Sequence, residues 1–289
     1  MPRATPGGIV YHVLNRANAG LTIFRDASEY AAFEQAMAEA HARVPVRVLA
    51  YCLMPDHWHL VVWPRREHDL SEFMRWLTVT HTRRWHAHRD VSGSGHLYQG
   101  RYRSFPVEPG DPLLTVVRYV ESNALRDRRA RRAEDWLWSS LAHRPGVAKG
   151  AKGRGKGRPN RPAGADGGLA ASAADLLDDG PTDLPRDWAA RVNEPLAPEE
   201  LKALRNSVQR GAPFGSGKWT AKVVDKMGLQ HTLRPRGRPR KVQPAGQDEG
   251  KTPSARKPAR KAAGTPHPTH PPRRTRKAAT AAPRKRRGK

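Results

Sequence analysis

Cysteine is almost absent from the chain, with Cys52 the only one among 289 residues. A single cysteine cannot form a disulfide within the chain, and it excludes a zinc cluster held by several thiolates. Any metal site must therefore use histidine, carboxylate or amide ligands. No apolar run approaches the roughly 18 residues that span a membrane, and residues 1–20 lack the apolar segment of a secretory signal. We expect a cytoplasmic protein with no membrane partner.

Acidic residues are also scarce, since 27 Asp and Glu face 53 Lys and Arg and give a net charge of +26. Such a balance favours a polyanionic partner, above all nucleic acid, and with it a nucleoid-associated location. No lysine occurs before Lys149, so residues 1–144 meet anions with arginine alone. The planar arginine group can bind two phosphate oxygens at once. A base-composition bias of the genome explains the missing lysines equally well.

The composition divides the chain into five segments. Apolar periodicity and most aromatic residues lie before residue 144, which predicts a compact domain over residues 1–144. A flexible linker follows over 145–183, where Gly, Lys, Arg and Pro are frequent at the start. Weak helical periodicity returns over 184–233 and predicts a small helical extension. Residues 234–241 form a short basic motif, and 242–289 carry 14 basic and 2 acidic residues in a tail too polar to fold.

Hydrophobic periodicity predicts the order βαββαβα for the first domain. Alternation indicates strands at 9–16, 46–53, 57–63 and within 98–107, and helical spacing indicates helices at 26–42, 70–85 and 113–124. A turn at Met54, Pro55 and Asp56 joins the two middle strands into a hairpin. The simplest layered solution is a ferredoxin-like antiparallel sheet packed with helices, in the α+β class.

A His-x-His motif, formed by His57 and His59, lies at the start of the third predicted strand. The motif alone is weak evidence, because the chain contains 13 histidines. Residues i and i+2 of a strand share a face, so the two imidazoles would project side by side as metal ligands while Trp58 faces the helices. His86 and His88 lie in a predicted helix, where residues two apart point about 200° apart, and cannot chelate one ion. Two exposed strand histidines without a metal are the alternative.

Tyr119 and Asn123 stand four residues apart in the third predicted helix, on one stripe beside its apolar face. A tyrosine oxygen can attack a phosphodiester and leave a phosphotyrosine ester. Asn123 can offer a carbonyl oxygen to the metal, and oxygen together with imidazole suits Mg²⁺ or Mn²⁺. On spacing alone, a half-buried tyrosine at a helix–sheet seam is the alternative.

Four linked motifs give the chain a family resemblance. They are Tyr51-Cys-Leu-Met-Pro-Asp-His-Trp-His-Leu-Val-Val, Gly95-His-Leu-Tyr-Gln-Gly-Arg-Tyr-Arg-Ser-Phe-Pro-Val-Glu108, Arg118-Tyr-Val-Glu-Ser-Asn-Ala-Leu-Arg126 and Trp138-Ser-Ser. In order and spacing, from about Val10 to Leu141, the chain resembles the REP-associated tyrosine transposases. These belong to the single-tyrosine HUH transposases.

The resemblance implies a metal-dependent enzyme that cuts single-stranded DNA near palindromic hairpins and holds the 5′ end on tyrosine. By this resemblance His57 and His59 are the metal pair, Tyr119 is the nucleophile and Asn123 is the third ligand. The resemblance leaves open whether the protein acts as a monomer or a homodimer, and whether Tyr119 works within its own chain.

Three positions depart from the family pattern. Asp56 stands where relatives have Asn, Ala124 stands where Pro is expected, and Trp58 replaces a small apolar residue. None of the three is a predicted ligand. Asp56 nevertheless places a carboxylate near the metal and the incoming phosphate, where it could weaken DNA binding or add a metal contact.

Further nucleic-acid signals lie outside the predicted catalytic residues. Arg101 and Arg103 of the second motif are candidate DNA-binding residues. Arg236 and Arg238, in Arg236-Gly-Arg-Pro239, resemble an AT-hook, whose extended arginines enter the narrow minor groove of A/T-rich duplex DNA. A plain basic patch is an equal alternative. The tail should bind phosphates without sequence preference.

Two rival functions compete with the transposase interpretation. The first is a catalytically retired transposase domain that still binds hairpin or chromosomal DNA. The second is a metal-dependent hydrolase that uses water, which is disfavoured because the sequence lacks the paired carboxylates such a site would usually need. A covalent adduct with DNA would separate the leading interpretation from both.

Overall fold

A four-stranded antiparallel sheet forms the centre of the protein in the computed structural model, which describes residues 5–91, 95–145, 147 and 176–234. The strands are β1 (Val10–Arg16), β2 (Arg47–Met54), β3 (His57–Trp63) and β4 (Arg103–Val107). Their spatial order is β2-β3-β1-β4, with every neighbouring pair antiparallel. The predicted hairpin of β2 and β3 is confirmed, and the order is that of the predicted ferredoxin-like sheet.

Helices cover both faces of this sheet. On one face lie α1 (Ala27–Arg43) and α2 (Asp69–His88), and on the other lie α3 (Asp111–Glu121) and the short α4 (Asn123–Arg126). The side chain of Asp26 caps α1, because it accepts hydrogen bonds from the backbone N–H groups of Ser28 and Glu29. The predicted α+β class is therefore confirmed.

Alternation along β3 separates the two faces as predicted. Trp58, Leu60 and Val62 are fully buried in the core beneath α1 and α2. Val61 belongs instead to the core beneath α3, on the face that His57 and His59 share with it. Both faces of the sheet are therefore packed, and the two histidines lie between the sheet and α3.

The third predicted helix is interrupted, which corrects the continuous helix expected over 113–124. At Ser122, whose backbone φ is −84° and ψ is 5°, α3 ends and α4 begins. The N–H of Ser122 still donates to the carbonyl of Arg118 over 2.9 Å, and the interruption is confined to this one residue. The turn lies between Tyr119 and Asn123, so these two residues belong to consecutive short helices.

Residues 184–233 are helical, with α5 (Trp188–Asn193), α6 (Pro198–Arg210), α7 (Gly217–Met227) and α8 (Gln230–Leu233). They are not a separate appendage, since Trp188, Val192 and Leu204 are buried in the same core as α3. Part of the predicted linker also packs against the sheet, where the N–H of Asp178 donates to the carbonyl of Val48 over 2.9 Å. Apolar residues of the extension thus complete the core that α3 alone leaves open.

The extension also covers the outer edge of β4. Phe214 forms backbone hydrogen bonds with Pro106 and with Glu108, of 2.9 and 3.0 Å. The carboxylate of Glu108 accepts from the hydroxyl and the backbone N–H of Ser216, whose side chain caps α7. Pairing of this kind protects an exposed strand edge from other chains.

A buried carboxylate ties the extension to the first domain. Glu121, at the end of α3, is fully buried and accepts hydrogen bonds from Ser140, Arg144 and Trp188. Its ion pair with Arg144 is 2.7 Å long, and the arginine side chain is only 12% exposed. Two separate segments of the chain, one with Ser140 and Arg144 and the other with Trp188, therefore meet at one acid.

Replacing this acid should destabilise the protein strongly. We expect Glu121→Ala to lower the free energy of unfolding by about 3–5 kcal/mol, because it leaves the buried Arg144 without its partner. Urea unfolding measures the loss. The control is Glu39→Ala, which breaks an exposed ion pair with Arg84 and should cost less than about 1 kcal/mol. Equal losses in the two variants would contradict the assigned role.

Several predicted segments lie outside the described residues. These are most of the linker, the AT-hook-like segment beyond Arg234, and the basic tail over 242–289. Within the described part of the chain, no helix is both long and apolar enough to cross a membrane.

Candidate active site

The structure brings the predicted catalytic and metal-binding residues together between β3 and α3. The ring centroids of His57 and His59 are 5.1 Å apart, and that of Tyr119 on α3 lies 5.9 Å from His59. Asn123, on α4, contacts His57 through a 3.1 Å hydrogen bond. Strand alternation places both histidines on one face of β3. Because α3 packs against this face, it brings Tyr119 next to them. All four residues belong to the same chain.

The direction of the hydrogen bonds around His57 is fixed by chemistry. Arg126 has only donors, so the side-chain oxygen of Asn123 must face it, and the two groups are 2.9 Å apart. The amide nitrogen of Asn123 therefore donates to Nε2 of His57. Nε2 carries the lone pair, and the ring proton lies on Nδ1. Nδ1 donates in turn to Asp56 over 2.7 Å.

Asp56 lies in the turn between β2 and β3, and Arg16 holds its second oxygen at 2.8 Å. The hydrogen bond from His57 and the neighbouring Arg16 hold the pKa of the Asp56 carboxyl below its usual value. The carboxylate contacts His57 on the ring edge away from Nε2. Both oxygens of Asp56 are thus engaged by His57 and Arg16 in this conformation, and a weaker DNA contact or an added metal contact stays a prediction.

His12 on β1 is a site residue that sequence reasoning missed. Its Nε2 lies 2.9 Å from Nδ1 of His59. Both rings are buried, and burial lowers the pKa of His12 to about 3 and that of His59 well below its usual value. Both imidazoles are therefore neutral at physiological pH. Alternation in β1 was the signal that could have found His12, because it places this histidine on the face of the sheet opposite to that of Tyr11 and Val13.

Arg126 is a second residue without a predicted role. Its guanidinium lies 3.9 Å from the ring centroid of Tyr119 and also donates to the Tyr119 carbonyl and to the Ser122 hydroxyl. Burial lowers the pKa of this arginine, which nevertheless stays charged because its usual pKa is far above neutral. Arg126 thereby fixes both Tyr119 and Asn123, one on each side of the turn at Ser122.

The donor set fits a divalent cation in part. Nε2 of His57 carries a lone pair, and the neutral His59 offers a second imidazole on the same face. Within the described residues, no group of three or more His, Cys, Asp or Glu side chains is arranged to hold a metal. Further ligands must therefore be amide, water or substrate oxygen. The oxygen of Asn123 faces Arg126 in this conformation, so its role as a third ligand stays a prediction.

The predicted DNA-binding arginines fall into two groups. Arg103 is exposed at the start of β4. It lies two residues before the buried Phe105 and therefore on the same face of the sheet, which is the face that carries His57. Arg101 lines a groove of about 720 Å³ between α2 and the segment before β4, together with Arg75 and Arg83. Among the described residues that line this groove, none is acidic. Arg236 and Arg238 lie outside the described residues.

The fold and the site define a class: an α+β protein in which a His-x-His pair on a central strand faces a tyrosine on a packed helix. Residues 7–123 match the model of the family described as "Transposase IS200 like". The match covers less than half of the chain, and it agrees with the resemblance to transposases that the motifs indicate.

Two solved structures are similar to the chain. One is described as a REP-associated tyrosine transposase bound to a REP hairpin, with 16% identity, a TM-score of 0.43, and coverage of 52% of this chain and 85% of that one. The other is a putative transposase from Deinococcus radiodurans R1, with 14% identity, a TM-score of 0.31, and coverage of 45% and 95%. No curated protein sequence matches the chain.

Proposed function

We propose that the protein is a metal-dependent strand transferase that cleaves single-stranded DNA at or near hairpins and forms a 5′-phosphotyrosine intermediate on Tyr119. The observation that carries this proposal is that the ring centroid of Tyr119 lies 5.9 Å from that of His59, which lies 5.1 Å from that of His57. The match of residues 7–123 to the family model of IS200-like transposases supports a function as a DNA transposase. The hairpin substrate follows from the four motifs in the sequence.

In the proposed reaction the oxygen of Tyr119 attacks the phosphorus of a DNA phosphodiester. A bond forms between phosphorus and the tyrosine oxygen, and the bond between phosphorus and the 3′ oxygen breaks. The phenol loses its proton, and the leaving 3′ oxygen gains one to become a hydroxyl. Attack by a 3′ hydroxyl on the phosphotyrosine reverses these steps and joins the strands.

His57 and His59 would hold the divalent cation, Mg²⁺ or Mn²⁺, with Asn123 as a further oxygen ligand. Such an ion polarises a phosphoryl oxygen and stabilises the charge on the leaving oxygen. Arg126 keeps the Tyr119 ring in place through its face and through the backbone carbonyl. Arg126 also binds the oxygen of Asn123, which must leave this arginine before it can reach the cation.

The surface charge supports a nucleic-acid substrate. The chain carries a net charge of +26, and the groove beside α2 joins Arg75, Arg83 and Arg101 to apolar side chains. Arginine contacts to phosphate fix the position of DNA without reading its sequence. We assign Arg101, which lines the groove, and Arg103, which is exposed on the face that carries His57, to the path of the DNA.

The direct test is a covalent adduct. The full-length protein is incubated with a labelled single-stranded hairpin and Mg²⁺ or Mn²⁺, and the products are separated on a denaturing gel. We expect labelled DNA to migrate with the protein and a free 3′ hydroxyl to appear at the cut. Tight hairpin binding without any adduct would favour the rival, a retired transposase that only binds DNA. Cleavage to a free 5′ phosphate, without an adduct at any time, would favour water as the nucleophile.

Because Tyr119 meets the histidine pair within one chain, the reaction should run in cis. We expect a mixture of the Tyr119→Phe and His57→Ala proteins to form no more adduct than either variant alone. The gel assay measures this directly after the two are refolded together to allow exchange of subunits. Recovery of adduct in the mixture would mean that the working site takes its tyrosine from a second copy.

A further inference from the structure

We propose that Asp56 is a positioning residue, which holds the His57 ring with its Nε2 lone pair toward the catalytic face, and that Arg16 holds Asp56 in place. The inference rests on the proposed function only for the cation that His57 would bind. The orientation of the ring follows from the hydrogen bonds alone.

The two oxygens of Asp56 have separate partners. One accepts from Nδ1 of His57 at 2.7 Å, and the other accepts from both Nε and Nη2 of Arg16, at 3.2 and 2.8 Å. The backbone of Asp56 is fixed as well, because its carbonyl accepts from the N–H of Ala17 over 2.8 Å. The carboxylate is therefore held from the end of β1 and cannot turn away without losing several bonds.

The far side of the His57 ring gives the same proton position independently. A donor-only arginine, Arg126, orients Asn123, and Asn123 donates to Nε2. Each group thus donates to the next from Arg126 to Asp56. At the other end Arg16 donates to the second oxygen of Asp56. Which nitrogen of a histidine carries the proton is set by the hydrogen bonds at the other nitrogen. Here both nitrogens give the same answer, with the proton on Nδ1.

The second histidine has no such support. Nδ1 of His59 meets Nε2 of His12, and a neutral imidazole can donate or accept at either nitrogen. The outer nitrogen of His12, Nδ1, is buried and has no hydrogen-bond partner among the described residues. Neither direction of the His12–His59 bond is therefore fixed from outside. His57 is the ligand that the fold presets, and a carboxylate behind a ligating histidine strengthens metal binding.

The test compares Asp56→Glu, which keeps a carboxylate with two acceptor oxygens, with Asp56→Leu, which has none. Long-range ¹H–¹⁵N spectra of the full-length protein without metal or DNA report the proton position, and His57→Gln assigns the His57 signals. We expect the proton on Nδ1 in the wild type and in Asp56→Glu, and its loss from Nδ1 in Asp56→Leu. Calorimetric titration with Mn²⁺ should give about 10–100-fold weaker binding for Asp56→Leu, and a change within about 3-fold for Asp56→Glu.

Glu39→Leu serves as the matched control, since it breaks another exposed carboxylate–arginine pair, with Arg84, between α1 and α2. It should alter neither the His57 signals nor Mn²⁺ binding, and thermal unfolding verifies that all variants are folded. A wild-type proton on Nε2 of His57, or an Asp56→Leu protein with unchanged spectra and Mn²⁺ affinity, would overturn the proposal. Failure of adduct formation with the expected His57 signals would instead count against the proposed function alone.

Discussion

Tyr119→Phe should abolish the covalent DNA adduct while hairpin binding changes by no more than about 3-fold. The substitution removes one oxygen atom, which is the proposed nucleophile. The ring itself stays, together with its contacts to Arg126 at 3.9 Å and to the His59 ring at 5.9 Å. The variant therefore separates chemistry from binding. Adduct is measured on a denaturing gel, and affinity by the anisotropy of a labelled hairpin.

Tyr30→Phe is the control for this substitution. Tyr30 is a buried tyrosine on α1, across the sheet from the site, where it stacks on Trp138. Loss of its hydroxyl should leave adduct formation unchanged. Undiminished adduct in Tyr119→Phe would remove Tyr119 from the mechanism and require another nucleophile.

Strand alternation made the sheet and the histidine pair predictable. A period of two places Trp58 in one core and His57 with His59 on the opposite face, and a side-chain pattern of this kind needs no knowledge of neighbouring strands. The helical spacing likewise placed Leu113, Val116 and Val120 in the second core. These features depend on local periodicity, which a single sequence contains.

The remaining parts of the site depend on how the strands pair and on the interruption of the third predicted helix. His12 reaches His59 only because the register of β1 and β3 pairs Leu14 with His59, which makes the two histidines diagonal neighbours. Arg126 lies seven residues after Tyr119, and its side chain reaches the Tyr119 carbonyl across the interruption at Ser122. Neither the strand register nor the helix interruption produces a periodic pattern of residues in the sequence. The packing of residues 176–233 was missed for the same reason, since Trp188 contributes to a core formed mainly by a distant segment.

The two His-x-His motifs of the chain provide an internal comparison with the second large expected effect. We expect His57→Ala to reduce metal-dependent cleavage below detection, and His59→Gln to do the same, because each removes an imidazole from the candidate metal site. His86→Ala and His88→Ala should leave cleavage unchanged. Both of the latter residues lie in α2, on a helix that packs against the other face of the sheet.

This comparison keeps the residue type and its spacing constant while the secondary structure and the face of the sheet differ. On β3 the two rings lie 5.1 Å apart on one face, whereas residues two apart on a helix point about 200° apart. Cleavage rates at increasing Mn²⁺ concentration measure the effect, and thermal unfolding verifies that each variant is folded. If the helical pair proved the more damaging, the catalytic metal would have to lie near α2. The Tyr119 site between β3 and α3 would then lose its support, because its function depends on a cation beside the tyrosine.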